Sequence, residues 1–329
     1  MAMIRRLLLG TGLALSLAAT SVFVVTGRAQ DAVPRTPWGD PDLQGLWSNA
    51  TMTPLQRPVD LAGKEFFTPQ EAAAYVAQRR AAQVADAPPR PGDVGSYNSA
   101  FMEQAGAIVK SLRTSLVMEP KDGRIPALTA KGQSILDERR RKAVEQPADG
   151  PEDRSLTERC LLFGAAGPPM LPEPYNSNYY IVQSPGYVTL LVEMNHEARI
   201  IPLDGRPALP SRVQQWLGDS RGRWEGSTLV VETRNMKFND QSHFGVGYGA
   251  GVTDENFTVV ERFTRSDAST ITYQATVADP TIYTKPWTIE MSMSPVKGPM
   301  LEFACHEGNY GMEGILAGQR QVEKTSSRK

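Results

Sequence analysis

The chain has 329 residues, a formal net charge of -1 at pH 7 and a hydrophobic content of 40%. This hydrophobic content supports a packed core, and the length allows one large domain or two small ones. The balance of 35 basic against 36 acidic side chains argues against a nucleic-acid-binding protein, because such proteins carry a basic surface.

The first 29 residues are predicted to be a secretory signal peptide. Arg5 and Arg6 precede an apolar stretch at 7–25, and a small-x-small cleavage pattern stands at 27–29. The alternative is an uncleaved membrane anchor, but Gly, Thr and Ser interrupt the stretch and a charged, Pro-rich segment follows it. We therefore expect a periplasmic or secreted protein without a stable membrane anchor. Cleavage would remove three arginines and no acidic residue, which changes the formal charge from -1 to -4.

Residues 30–156 are predicted to form an arm and helical segments that pack on the body of the protein. The arm is rich in turn residues, and Trp38 and Trp47 are expected to hold it in place. A segment rich in Pro, Asp and Gly at 146–156 marks the expected end of this region.

Three helices are predicted within this region. The first covers 69–84 and follows Thr68, which can form a capping box with Glu71. The second, at 101–110, and the third, at 130–144, each contain a glycine, which lowers the helical propensity.

Residues 157–329 have the pattern of antiparallel strands. Short segments rich in β-branched and aromatic residues lie at 179–183, 187–194, 198–203, 229–233, 257–265, 270–277 and 287–293. Turn residues separate them, and no long helices alternate with them. We predict a mainly β (α+β) fold in which this half forms an antiparallel β-barrel or sandwich.

The two cysteines, Cys160 and Cys305, are predicted to form a disulfide, because a lone pair in an oxidising compartment usually does. The alternative is two buried thiols that never meet. A bridge across so long a loop would contribute roughly 4 to 5 kcal/mol as an upper figure. It would also place residues 157–159 beside His306 and Glu307.

Residues 305–310 are the leading candidate site, because they unite one of two cysteines with one of three histidines after a strand-like run. The rims of sheets often carry binding and catalytic groups. We predict that His306 or His196 moves a proton, since histidine titrates near physiological pH. Glu193 or Glu307 would orient the imidazole.

The position of Glu193 depends on the alternation of faces along the strand predicted at 187–194. That alternation can place its carboxylate in an apolar cavity, where desolvation raises the pKa into the range of a general acid or base. The alternative is a hairpin tip that faces water.

Four further residues are predicted to bind substrate. Tyr310, Asn309 or an arginine such as Arg206 would stabilise developing negative charge. Arg206 stands on a tight turn, so a structural pairing with an aspartate is the alternative. His243 lies in a long glycine-rich segment that is either a lid over the site or an ordinary exposed loop.

A metal site remains an alternative to cofactor-free catalysis. His196, His243 and His306 could ligate zinc or iron if the fold gathers them. The sequence contains no HExxH or CxxC motif, which are the local signatures of common zinc sites. We therefore assign no metal ligand and expect no organic cofactor.

The preferred functional hypothesis is an exported enzyme that acts by proton transfer, as a lyase, isomerase or hydrolase. Its substrate would be a small apolar or aromatic molecule held in a barrel cavity. One alternative is a non-catalytic periplasmic carrier of such a ligand, and a second is a metalloenzyme with histidine ligands. An exported structural or interaction protein, with a filled barrel, is the third.

Four segments together resemble a group of exported bacterial proteins whose function is uncharacterised. They are PWGDPDLQGLW from residue 37, the LDGRP-containing stretch at 200–209, residues 216–231 and ACHEGNY at 304–310. The resemblance implies export and one domain from the arm to the C-terminus, and it implies no reaction and no residue roles. The strand-rich half is also somewhat similar to lipocalin-type barrels, which is an architectural analogy.

Overall fold

The computed structural model describes residues 33–82, 106–173, 175–237 and 254–326. The predicted signal peptide at 1–29 lies outside these ranges. In the described residues the chain is mainly β, and nine strands follow one another around a nearly closed antiparallel barrel. The predicted fold class is confirmed, and the barrel is the form that it takes.

The barrel consists of two meanders joined by a strand from the N-terminal arm. Its order is β5-β4-β3-β1-β10-β9-β8-β7-β6, and β2 pairs with β10 off this path. The strands are β1 (Gly45–Ser48), β2 (Val117–Glu119), β3 (Asn178–Ser184), β4 (Tyr187–Val192), β5 (Ala198–Pro202), β6 (Asp219–Glu225), β7 (Thr228–Arg234), β8 (Thr258–Asp267), β9 (Thr270–Ala278) and β10 (Trp287–Pro295).

Strand β1 connects the two meanders, because Leu46 lies opposite Tyr180 on β3 and Trp47 lies opposite Pro295 on β10. Residues of the arm are therefore part of the barrel wall. Three strands were not predicted from the sequence: β1, which is four residues long, β2 and β6. In β6, Arg223 and Glu225 are exposed, whereas Ser220 and Gly222 are buried.

The barrel interior is filled with side chains rather than hollow. Large rings at inward positions have at most 2% of their surface exposed; they are Trp47, Tyr179, Phe263, Tyr273 and Trp287. The segment 162–171 also enters this core: Tyr179 Oη donates to the Ala165 carbonyl (3.0 Å), and the Met170 amide donates to Tyr273 Oη (2.8 Å). These rings and this segment occupy space that the predicted ligand cavity inside the barrel would need.

A buried ion pair lies across the seam between β5 and β6, the first and last strands of the barrel order. Arg199 on β5 donates through both terminal nitrogens to Glu261 on β8, and both side chains are at most 1% exposed. Arg199 Nη2 also contacts the hydroxyls of Ser220 (3.4 Å) and Thr233 (3.3 Å). Tyr273 Oη donates to Glu261 Oε1 (2.9 Å). Five strands are thus joined by one polar network.

Strands β5 and β6 are the two ends of the strand order, yet they approach closely. A Cβ atom added to Gly222 would lie 2.5 Å from Leu203 Cδ2 and 2.8 Å from Ile201 Cγ2. The absence of a side chain at Gly222 therefore lets the two ends pack together. Side-chain packing and the Arg199–Glu261 pair close the seam.

The variant Glu261→Gln should lower the free energy of unfolding by about 3 to 5 kcal/mol, because it leaves the charge of Arg199 buried without its counter-ion. Urea denaturation of the oxidised protein measures this loss. The control is Glu232→Gln, which removes an exposed partner of Arg223 and should have a far smaller effect. A loss below about 1 kcal/mol for Glu261→Gln would show that the buried pair does not hold the seam.

Within the described ranges, three α-helices lie outside the barrel wall: α1 (Pro69–Ala82), α2 (Ala130–Glu145) and α3 (Gly311–Ser326). The predicted capping box of α1 is present, since the Thr68 amide donates to Glu71 Oε2 (2.8 Å) and the Glu71 amide donates to Thr68 Oγ1 (3.3 Å). Among the helices of the described ranges, none is long and apolar enough to cross a membrane.

The helix predicted at 101–110 is wrong for its described part, because residues 106–110 are not helical. Their backbone instead bonds to distant residues. The Val109 amide donates to Thr53 Oγ1 (3.0 Å), and the Ala107 carbonyl accepts from the Met52 amide (2.9 Å). These tertiary hydrogen bonds replace those of a helix. Residues 101–105 lie outside the described residues.

Helix α2 agrees with the helix predicted at 130–144, and Gly132 has a packing role within it. Thr129 caps this helix by accepting from the Gly132 amide (3.1 Å). A Cβ atom at Gly132 would lie 2.6 Å from the carbonyl oxygen of Ile282. Glycine is therefore needed where the helix rests on the backbone before β10.

Gly132→Ala should destabilise the protein by about 1 to 3 kcal/mol despite the better helical propensity of alanine, because the new methyl group overpacks against fixed backbone. Gly318→Ala in α3 is the matched control, since no atom lies within 4 Å of its added Cβ. That variant should be neutral or stabilising by up to about 1 kcal/mol. Thermal unfolding of both variants tests the contrast, and equal effects would contradict it.

Candidate functional site

A groove of about 480 Å³ lies between residues 157–175 and 303–315. We call it the rim groove, because it adjoins the end of the barrel where β4 ends and β3 begins. Its lining comprises Thr157, Glu158, Phe163, Tyr175, Phe303, Ala304, Cys305, Glu307, Gly308, Asn309, Gly311, Met312 and Ile315.

Aromatic rings form the apolar surface of the rim groove. Phe303 is central: its ring centroid lies 5.4 Å from that of Phe163 in an edge-to-face arrangement and 6.2 Å from that of Tyr175 in a stacked one. Phe163 itself is 6% exposed. Met312 and Ile315 from the start of α3 extend the apolar lining on the other side.

The predicted disulfide between Cys160 and Cys305 is present and joins the two walls of the rim groove. Asn309 Nδ2 donates to Cys160 Sγ (3.2 Å), and Asn195 Nδ2 donates to the Cys160 carbonyl (3.3 Å). The bridge therefore lies at the centre of a small polar cluster. The alternative of two separate thiols is excluded.

Glu193 and His196 bind the C-terminal segment at this end of the barrel. The Glu193 side chain is buried, and its carboxylate accepts from Asn178 Nδ2 (2.6 Å) and from the Leu301 amide (3.3 Å). His196 is exposed, and its Nε2 accepts from the Phe303 amide (3.2 Å). Both residues predicted as catalytic thus position the backbone that carries Phe303.

The turn that presents His196 has an unusual backbone. Asn195 and His196 have φ angles of 59° and 52°, in the left-handed region. Asparagine tolerates this conformation better than most residues. The turn ends β4 sharply and lets Asn195 reach both Cys160 and Glu197.

The predicted residues at 306–310 lie on the exposed side of the groove. Glu307 and Asn309 belong to its lining, whereas His306 is an exposed neighbour. Tyr310 is 77% exposed. The structure therefore brings the 305–310 segment, Glu193 and His196 together at one end of the barrel.

Arg206 lies away from this neighbourhood. It pairs with Asp204 and donates from Nη2 to Tyr187 Oη (2.8 Å). Tyr187 begins β4 and Glu193 follows its end, so the strand separates the two positions by roughly 20 Å. These contacts agree with the structural alternative for Arg206, a pairing with an aspartate on a tight turn. His243 lies outside the described residues.

In the part of the chain that the structure describes, no group of three or more His, Cys, Asp or Glu side chains is placed to hold a metal ion. The hypothesis of His196, His243 and His306 as ligands includes a residue beyond these ranges. It stays a hypothesis.

Two carboxyl groups at this end of the barrel have raised pKa values that the sequence did not predict. Burial raises the pKa of Glu173 to about 7, and this residue lies two positions before Tyr175 of the groove. Burial also raises the pKa of Glu197, although a hydrogen bond from Asn195 (3.1 Å) opposes the shift. The available signal for Glu173 was a lone acid within an apolar, Pro-rich run at 167–175.

Glu158, on the groove wall, is held in its charged form. Burial raises the pKa of its carboxyl, but hydrogen bonds from Arg154 and from the Ser155 amide (2.9 Å) and hydroxyl (2.9 Å) outweigh burial and lower the pKa. The groove thus combines one salt-bridged carboxylate, Glu158, with an exposed one, Glu307.

Comparison with known proteins gives no assignment: no family model matches the chain, and neither does any curated protein or solved structure. The resemblance to exported bacterial proteins stays a prediction.

Glu173→Gln tests the raised pKa of Glu173. The unfolded carboxyl loses its proton near pH 4.5 and the folded one near 7, so the wild-type protein loses stability as the pH rises between these values. Relative to the variant this loss should reach about 3 kcal/mol and level off above pH ~7. Urea denaturation at several pH values measures it. The difference should be constant below pH ~4.5, and a pH-independent difference throughout would contradict the shift.

Proposed function

We propose that the rim groove binds a small, largely apolar or aromatic molecule. The observation that carries this proposal is the placement of Phe163, Tyr175 and Phe303 around a space of about 480 Å³. Small-molecule sites commonly have volumes of about 300 to 1,000 Å³ and combine apolar walls with a few polar groups. Here Asn309, Glu307 and Thr157 supply the polar groups.

The rim groove supports this proposal better than the barrel interior does. The inward positions of the barrel hold packed aromatic rings and the Arg199–Glu261 pair. A carrier of the lipocalin kind would need a hollow interior. The ligand of this protein is therefore expected at the end of the barrel rather than within it.

Export is part of the same proposal. A disulfide between Cys160 and Cys305 supports an oxidising compartment, because such bonds rarely persist in reducing ones. The apolar, Arg-led sequence at 1–29 supplies the signal. A periplasmic or secreted location follows, in which a binding protein meets small molecules from the environment.

A second candidate function is proton transfer on the bound molecule, as in a lyase, isomerase or hydrolase. It is favoured by Glu307, which lines the groove, and by the exposed His306 beside it. Glu173 is a further candidate: it lies two residues before Tyr175 of the lining, and burial raises its pKa to about 7, where general acids and bases work best. An enzyme of this kind should lose turnover in Glu173→Gln and keep its affinity for ligand.

Fluorescence titration with N-phenyl-1-naphthylamine, an uncharged aromatic probe, tests binding in the rim groove. Phe303→Ala should weaken binding about tenfold, because it removes the central ring. Ala304→Trp should abolish binding by filling the groove. The control Tyr180→Ala removes an exposed ring on the outer barrel wall and should leave binding unchanged.

Two outcomes would count against the groove as the site. Undiminished binding in Ala304→Trp would place the probe elsewhere. Loss of binding in Tyr180→Ala, with Phe303→Ala unaffected, would assign the probe to the outer wall of β3 and β4.

A further inference from the structure

The wall of the rim groove contains a disulfide whose two cysteines differ in burial. Cys160 is 3% exposed, whereas Cys305 is partly exposed and belongs to the groove lining. We propose that the Cys160–Cys305 disulfide is a site of thiol–disulfide exchange, attacked at Cys305, which opens and closes the rim groove. This inference rests on the groove being the binding site proposed above.

The geometry favours attack at Cys305 and departure of Cys160. Cys305 lines the groove and is partly exposed, whereas Cys160 is buried, so a reductant would reach the bridge from the side of Cys305. Asn309 Nδ2 lies 3.2 Å from Cys160 Sγ and donates to it. A hydrogen-bond donor stabilises the thiolate that leaves, and a more stable thiolate leaves faster.

The reduction consumes two thiols, and a dithiol reductant supplies both. Its thiolate attacks Cys305 Sγ, the disulfide breaks, and Cys160 takes the electron pair as a thiolate. The second thiol of the reductant then attacks the reductant sulfur of the mixed disulfide, and Cys305 leaves as a thiolate. The protein gains two electrons, the dithiol becomes a disulfide, and its two protons pass to solvent or to the new thiolates. The reverse sequence closes the bridge.

Reduction should release a limited segment rather than unfold the barrel. Residues 301–310 are mostly exposed. In addition to the disulfide, two hydrogen bonds hold this segment: the Leu301 amide donates to Glu193, and the Phe303 amide donates to His196. The segment is fixed at both ends, by β10 and by α3, whose Arg320 Nη2 donates to the Ala148 carbonyl (2.6 Å). The groove wall can therefore move between two tethers while the strand ladders remain.

The direction of attack is tested by treating the folded protein with limiting 2-mercaptoethanol, alkylating free thiols with iodoacetamide and mapping both adducts by mass spectrometry. Mercaptoethanol should be found on Cys305, and the alkyl group on Cys160, at least tenfold more often than the reverse. Equal labelling of the two cysteines would overturn the proposal. Reduction no faster than global unfolding of the chain would also overturn it.

Asn309→Leu has nearly the same size and lacks the donor. Its reduction by 2-mercaptoethanol should be about tenfold slower than that of the wild-type protein. Gln319→Leu, on α3 beyond the groove, is the control and should react at the wild-type rate. An unchanged rate in Asn309→Leu would remove Asn309 from the mechanism.

The opening itself is tested by amide hydrogen exchange before and after reduction with dithiothreitol. The peptide that contains Leu301 and Phe303 should lose protection, while strand β9 should keep it; the double variant Cys160→Ser, Cys305→Ser should match the reduced state. Unchanged protection at 301–303 would overturn the gate. If the aromatic probe fails to bind the oxidised protein while this exchange still changes, the binding function fails and the gate stands.

Discussion

The fold depends on one buried ion pair that compensates for a missing strand ladder. The strand order begins at β5 and ends at β6, so backbone hydrogen bonds do not close the ring of strands. Arg199 reaches from β5 to Glu261 on β8 and to hydroxyls on β6 and β7. Burial and the neighbouring Glu261 raise the pKa of Tyr273 far above its usual range, so its hydroxyl remains a donor. Since Tyr273 also accepts from the Met170 amide, the same network fixes the segment that fills the core.

The rim groove follows from this filled core. Because segment 162–171 occupies the interior, the chain where it enters lies at the end of the barrel, and Cys160 and Phe163 lie there. The chain after β10 returns to the same place, where Glu193, His196 and the disulfide hold it. Glu193 and His196, whose side chains suggest catalysis in the sequence, thus hold the backbone that forms one wall of the rim groove. The surface that remains available for a ligand is aromatic.

The sequence predicted what depends on local pattern and failed where distant contacts decide. Alternating apolar residues identified the strands from β3 onward except β6, and Thr68 with Glu71 identified the start of α1. Strand β1 was missed because four residues carry too little pattern, and the 106–110 segment bonds to residues near Thr53 instead of to itself. The disulfide could be predicted from the presence of two cysteines, whereas the raised pKa of Glu173 comes from burial, which depends on the folded chain.

The position of β1 also determines when the barrel can be completed. Trp47 pairs with Pro295, so one of the earliest described segments finds its second neighbour near the end of the chain. Pairings of such large sequence separation are slow to form, because loop closure costs entropy before any contact compensates it. A nascent chain that lacks β10 leaves β1 with an unpaired edge. The barrel therefore cannot be completed before β10 has been synthesised and has paired with β1.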